Sequence, residues 1–406
     1  MPSSKVYVVP EPEELRFTGR WLGFDGFSNF PGFLAREFGV PKGSWVIEKG
    51  EGPGDAGLEV SQGRVRIWGD ERVAYATIIQ LLRQGGGRAL PEVRVVERFR
   101  FRFRGFHLDV ARGGVPTVGE LKRLLRLLFL LKYTHLALYL EDLFPWESYP
   151  DIGVHRGRYS REELREVIEY GSRLGIEVFP SLELCGHMEN ILVLPPYRRY
   201  SEWHRPSEGV LDVGDEEARE FAYKLLREVL EFFPSSYIHV GGDETWALGR
   251  GRSLDKTGMF RGPELYEEHH RRLVEMVRER GKTPMVWGDM ITAAYLRESE
   301  RRYWAKLMES PIWRNSVVVY WDYSPRPKEH FLQVLRSLKE RGLRIFVAPG
   351  LWNWNRYYPD YPTALENLRN LLTAARELGI EGFLVTAWGD DGSECLFSLL
   401  DPLILA

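Results

Sequence analysis

From residue 105 onward, helices stop at a glycine and an apolar run begins at once. Gly175 precedes IEVFPSL, Gly281 precedes KTPMVW, Gly342 precedes LRIFVAP and Gly379 precedes IEGFLVTAW. Glycine suits the left-handed residue that ends a helix. The helix starts are equally marked: Thr117-Val-Gly-Glu120 and Ser160-Arg-Glu-Glu163 are capping boxes, and Pro263 fits a first turn. The apolar runs are continuous, not alternating, so both faces of each strand are buried, as in a parallel sheet covered by helices. The expected strands are 105–110, 135–140, 176–182, 237–242, 284–288, 317–322, 345–349 and 382–388. Eight strand–helix units predict an α/β fold, a (β/α)8 TIM barrel. An open doubly wound sheet competes, but no Gly-rich phosphate fingerprint follows the first strand. After the eighth strand GSECLFSLLDPLILA leaves room for one short closing helix. An apolar face near strands one and eight is then uncovered, which predicts a homo-oligomer.

Residues 1–97 read differently. SWVIEKG, LEVSQG and RVRIWG are short alternating strands, Asp70 caps the helix ERVAYATIIQLLRQ, and Gly85-Gly86-Gly87 ends it. The expectation is a small α+β accessory domain over 1–97, a linker near 85–92, and a catalytic barrel over 98–406.

Composition narrows the partners. The net charge of −3 carries no basic footprint for nucleic acid or an anionic membrane. No apolar run reaches the ~18 residues of a membrane span, and the start has no signal core. Two cysteines, Cys185 and Cys395, make no disulfide framework, so a cytoplasmic location is expected. Asn and Gln are scarce, 11 together, which points to a thermophile.

In a barrel, chemistry sits at the C-terminal ends of the strands. Those ends carry Asp109, Glu141-Asp142, His187, Asp243-Glu244, Trp287 with Asp289, Trp321-Asp322-Tyr323, Trp352 with Trp354, and Trp388 with Asp390. Aromatic walls with carboxylates between them suit a neutral polyhydroxyl ligand, whose C–H faces stack on indole while its hydroxyls donate to carboxylates.

Several of these stretches resemble one family. HVGGDE, residues 239–244, is similar to the His-x-Gly-Gly-Asp-Glu signature of family 20 glycoside hydrolases, the β-N-acetylhexosaminidases. RGFHLDVAR, residues 104–112, resembles the family's Arg-Gly-x-x-Leu-Asp-x-x-Arg, although Gly113-Gly114 follows where bulkier residues are common. YLEDLFPW, the stretch to SLELCGH, and TAWGDDG are similar to strands two, three and eight of a compact bacterial branch. RVRIWGDERVAYATIIQLLRQ resembles the small domain that precedes the family's barrel.

The resemblance implies a retaining exo-β-N-acetylhexosaminidase without metal or cofactor, acting on a small oligosaccharide or glycoconjugate by substrate-assisted catalysis. It implies Glu244 as acid/base and Asp243 as the partner of the substrate's 2-acetamido group. Two adjacent acids should push one pKa up, favouring a protonated Glu244. Arg104 would grip the 3- and 4-hydroxyls and Asp390 the 4- and 6-hydroxyls. Trp287, Trp352 and Trp388 would wall the sugar, Tyr323 would donate to the acetamide oxygen, and Glu141 and His187 would line the pocket. His239 reads as a core histidine. The alternatives are a non-catalytic carbohydrate-binding protein on the same barrel and a metal-dependent hydrolase using His187, His239 and Asp243. The latter lacks close ligand spacing.

Overall fold

The computed structural model describes residues 5–293 and 296–390. Five strands come first: β1 (Glu14–Gly23), β2 (Val46–Lys49), β3 (Ala56–Ser61), β4 (Arg64–Gly69) and β5 (Ala89–Glu97). They form one sheet in the order β1-β5-β3-β4-β2, with β2 parallel to β4 and the other pairs antiparallel. Helix Glu71–Gln84 starts as expected, with the Asp70 side chain accepting from the backbone N–H of Arg72 and Val73. The stretch expected to be a linker is different. Gly86 and Gly87 make a left-handed turn, and the chain then enters β5, an internal strand of the sheet. Pro91 disguises it. Proline cannot donate to a ladder, and here it stands opposite Trp21 next to the register shift between Phe17 and Trp21 of β1.

The next eight strands are β6 (Phe103–Asp109), β7 (His135–Tyr139), β8 (Glu177–Ser181), β9 (Tyr237–His239), β10 (Thr283–Trp287), β11 (Val317–Trp321), β12 (Arg344–Ala348) and β13 (Gly382–Ala387). They close into a parallel barrel in sequence order, as the periodicity predicts. The four glycine stops all hold: Gly175, Gly281, Gly342 and Gly379 have φ between 64° and 75°. The Ser160–Glu163 capping box is reciprocal, at 2.8 and 3.1 Å. Only β9 is clearly shorter than expected, because the chain turns left-handed at Gly241 and Gly242, with φ of 74° and 98°. The closing helix expected in 392–406, and Cys395, lie outside the described residues. Cys185 is buried and free. Among the described residues no helix is long and apolar enough to cross a membrane.

Contacts divide the chain into two compact units. One comprises Met1–Arg104, Val118–Thr134 and Val167–Glu177; the other comprises Gly105–Thr117, His135–Glu166 and Val178–Ala406. Inside the first, the Arg72 guanidinium donates to the Tyr133 carbonyl, and Lys132 forms a fully buried ion pair with Glu97, which also accepts from Thr77 at 3.1 Å. The candidate site belongs to the second.

Candidate active site

The turn after β9 carries the two adjacent acids. Gly241 is demanded by its φ of 74° and by the Leu182 carbonyl oxygen, which a Cβ there would meet at 2.5 Å. Glu244 itself adopts φ of 49°. Seven described non-glycine residues have positive φ, and four of them are Glu141, His187, Glu244 and Trp352. Such backbone costs about 1–3 kcal/mol each and concentrates at functional sites. All four lie just past C-terminal strand ends.

Asp243 and Glu244 converge on His187, whose Nε2 lies 3.5 Å from Asp243 Oδ2 and 3.6 Å from Glu244 Oε2. The pKa values of the two acids move apart. Burial raises that of Glu244, and the Asp243 charge adds to the rise. The pressure expected from like charge is therefore present but second to burial. Burial opposes ionisation of Asp243 too, but His187, Glu183 and Arg112 outweigh it and hold Asp243 below its ordinary value. His187 faces conflicting demands. Burial disfavours its charge, Asp243 favours it, and the balance lifts its pKa to about 9. Its Nδ1, however, lies 3.1 Å from Arg112 Nη2, a hydrogen bond only if Nδ1 keeps its lone pair. In the neutral ring that contact would place the proton on Nε2, facing both acids.

Two further carboxylates hold the pair. Glu183 Oε2 accepts from Gly242 N–H at 3.2 Å, and Glu183 also meets Asp243 carboxylate to carboxylate. Burial, then the Asp243 charge, pushes the Glu183 pKa well up, so Glu183 carries the proton and donates it to ionised Asp243. Asp289 Oδ2 accepts from Glu244 N–H at 2.9 Å. Burial, then Asp243, lifts the Asp289 pKa to about 8.

Opposite stands Arg112. Its Nε lies 3.1 Å from Glu141, and its Nη1 lies 3.1 Å from Asp390 and 3.6 Å from Asp109. Burial raises the pKa of Glu141 to about 7 despite this arginine, and Asn190 donates to its other oxygen at 2.9 Å. A cavity of about 590 Å3 opens beside Arg112 and Asp390, bordered by Gly113, Arg156, Glu189 and Asn190. It adjoins this pair, not the Asp243–Glu244 pair.

Arg104, the arginine expected to grip the sugar, does not join this group. It stands at the N-terminal end of β6, five residues before Asp109, whereas the site lies at the C-terminal end. Its guanidinium donates to the carbonyls of Lys132 and Phe101, both at 2.8 Å, and covers the Phe99 ring at 4.0 Å.

Most of the aromatic residues singled out in the sequence lie together. Trp388 packs edge-on against Tyr139 at 5.1 Å, and its Nε1 donates to Tyr323 Oη at 2.7 Å. Tyr323 contacts Trp354 at 4.9 Å, and Trp354 contacts Trp352 at 4.9 Å, so Trp354 belongs to the same row. Trp287 is fully buried, 4.2 Å from His239 and 5.8 Å from Trp388, and backs the wall from beneath.

Residues 101–350 match the catalytic domain of glycosyl hydrolase family 20. The chain belongs to this family. A β-hexosaminidase of Vibrio furnissii is 30% identical over 225 residues, covering 46% of this chain and 37% of that protein. Human hexosaminidase D is 28% identical over 309 residues, 71% of this chain and 60% of that protein. The matched stretches span between about a third and a half of the first curated relatives. A β-N-acetylhexosaminidase of Bacteroides fragilis superposes with a TM-score of 0.73 at 21% identity, over 98% of this chain and 90% of that one. An exo β-N-acetylglucosaminidase of Vibrio harveyi, solved with N-acetylglucosamine, gives 0.72 at 18% identity, over 100% and 74%. At such identities these two establish the shared fold.

For a family 20 chain, three residues at this site escaped the sequence reading. Arg112 ends the very motif that suggested Arg104, and counting from the strand's start would have found it. Glu183 is an acid inside the apolar run SLELCGH, an anomaly in itself. Asp289 stood among the strand-end acids without a role. The histidines of the metal-dependent alternative do not form a ligand set. His239 Nδ1 is occupied by the Gly241 N–H at 3.0 Å, and no cluster of three metal-ligating side chains occurs among the described residues.

Proposed function

We propose that this family 20 barrel, residues 98–406, hydrolyses terminal non-reducing β-linked N-acetylglucosamine or N-acetylgalactosamine with retention, and that residues 1–97 are accessory. The observation that carries this is the Asp243–Glu244 pair, adjacent in sequence, converging on His187, with pKa values pushed in opposite directions. In the first step Glu244 protonates the glycosidic oxygen and the C1–O bond breaks, while the acetamido oxygen bonds to C1 and gives an oxazolinium ion. Ionised Asp243 accepts the acetamide N–H, aims its carbonyl oxygen at C1 and offsets the growing positive charge. In the second step water attacks C1, Glu244 takes its proton, and the ring reopens with the starting configuration restored. Arg112 and Asp390 bind the hydroxyls at the far end of the sugar. Trp388 donates into the Tyr323 oxygen, so Tyr323 needs its phenolic proton to turn from Thr386 to the acetamide carbonyl.

The names of relatives and structural neighbours, β-hexosaminidases and β-N-acetylglucosaminidases, support the substrate class. The test compares nitrophenyl N-acetylglucosaminide with the same glycoside lacking the acetamide. We expect turnover of the first only, and its collapse with Asp243→Asn. A thiazoline mimic of the oxazoline should inhibit strongly, because intermediate mimics bind far tighter than substrate. Equal turnover of both glycosides, or a 2-fluoro sugar trapped covalently on an Asp or Glu, would overturn the mechanism. Binding of the N-acetyl sugar without any turnover would indicate a lectin-like barrel instead.

A further inference from the structure

Helix Gly262–Glu279 follows the catalytic turn in sequence and runs behind it, and three of its residues, Tyr266, His269 and His270, are completely buried. The Tyr266 hydroxyl donates to the Gly242 carbonyl at 2.7 Å. That carbonyl belongs to the peptide plane that also holds the Asp243 nitrogen. The next peptide plane, between Asp243 and Glu244, is held through its N–H by Asp289 at 2.9 Å. The orientations of those two planes are the φ and ψ of Asp243. Between them, a tyrosine from the helix and an aspartate past β10 fix the backbone from which both acids project.

The tyrosine is itself immobilised. Its ring stacks on His270 with centroids 3.9 Å apart and meets Trp304 and Trp313 edgewise or tilted, each at 6.0 Å. His270 Nδ1 donates to the Tyr266 carbonyl at 2.9 Å, which leaves its Nε2 as a bare lone pair with no partner. Burial lowers the His270 pKa to about 4, so the ring stays neutral across the working range. A Cβ on Gly242 would lie 2.5 Å from His270 Nε2 and 2.7 Å from Tyr266 Oη. The second glycine of the motif is therefore demanded by these two side chains as well as by its own φ. This closeness brings the helix directly against the turn.

We propose that Tyr266 is a positioning residue for catalysis, acting through the Gly242 carbonyl to aim Asp243 and Glu244; this rests on the roles proposed for those two acids. A hydroxyl that only stabilised the fold would affect melting and nothing else. A positioning hydroxyl affects the chemical step, since displacement of a catalytic group by about 1 Å can cost about 100-fold.

The test is Tyr266→Phe in the full chain, assayed on N-acetylglucosaminides with good and poor leaving groups. We expect kcat to fall about 10–100-fold while KM stays within about threefold. The loss should be larger for the poor leaving group, which depends most on Glu244, and thiazoline affinity should weaken in parallel through Asp243. Should Tyr266→Phe fail to fold, 4-fluorophenylalanine in place of Tyr266 fills the hydroxyl's space without donating and should show the same kcat loss. A folded variant of either kind with wild-type kcat for both leaving groups overturns the proposal. An inactive wild-type chain would instead refute the functional reading, so the two failures are distinct.

Discussion

Arg112 Nη1 and Asp390 Oδ1 meet at 3.1 Å, joining residues that follow β6 and β13, neighbours where the barrel closes. The arginine beside the candidate cleft is thus the second of the two in RGFHLDVAR, and the sugar-gripping role is proposed for it in place of Arg104. Arg112→Ala should lower kcat/KM about 100-fold or more, since it leaves Glu141 buried without its cation. Lysine should not rescue, because it cannot reach three carboxylates in different directions. Arg104→Ala should lower the melting temperature and leave KM unchanged. Steady-state kinetics with melting curves on both variants checks this, and a raised KM in Arg104→Ala alone would reverse the assignment.

Glu183 should tolerate glutamine and not alanine. The amide of Glu183→Gln can still accept from Gly242 N–H and donate to Asp243, so activity should stay within about tenfold. Glu183→Ala removes both bonds and leaves Asp243 without its donor. Its kcat should fall about 100-fold, and the acid limb of the pH profile should move upward as the Asp243 pKa rises. A Glu183→Gln variant as impaired as Glu183→Ala would mean that Glu183 works as an anion.

The pH dependence follows from the directions of the two shifts. In the proposed mechanism Asp243 acts ionised, and its folded pKa lies below the ordinary value, so activity is lost only as pH falls through that low pKa. Glu244 acts protonated, and its folded pKa is raised, so activity is lost as pH rises through it. The kcat/KM profile should be a bell with Glu244 on the alkaline limb. Glu244→Gln, followed on an activated nitrophenyl substrate that needs little protonation, should lose that limb. An unchanged alkaline limb in Glu244→Gln would assign it elsewhere. The Asp243 shift also stabilises the fold above its unfolded pKa, a gain lost as pH falls through the folded one. Asp243→Asn should therefore flatten the acid side of the melting profile.

Local signals carried the architecture. A glycine stop or a capping box is decided within a few residues, so Gly175 and Ser160 could be read directly. Asp243-Glu244 was legible because a charged pair behind an apolar strand has no packing reason to exist. What failed depended on distance or on direction. β5 was hidden by Pro91, acceptable only because a bulge lies opposite. Arg104 and Arg112 differ only in which end of a strand they occupy. Glu183, Asp289 and Tyr266 act on the turn after β9 from 59, 45 and 24 residues away, contacts that no periodicity announces.

The clustering of Asp109, Glu141 and Asp390 around the lone Arg112 has a consequence for what the cleft attracts. With Asp243 added, carboxyl groups outnumber the basic side chains around this cleft, Arg112, Arg156 and His187, before any ligand arrives. A glycan bearing sulfate or sialic acid at its tip meets an opposing field, while a neutral sugar enters without penalty. A ligand that acquires positive charge gains most. Protonated iminosugars and amine-bearing pseudo-sugars should therefore bind better than their uncharged counterparts, and lose that advantage once the buffer deprotonates them.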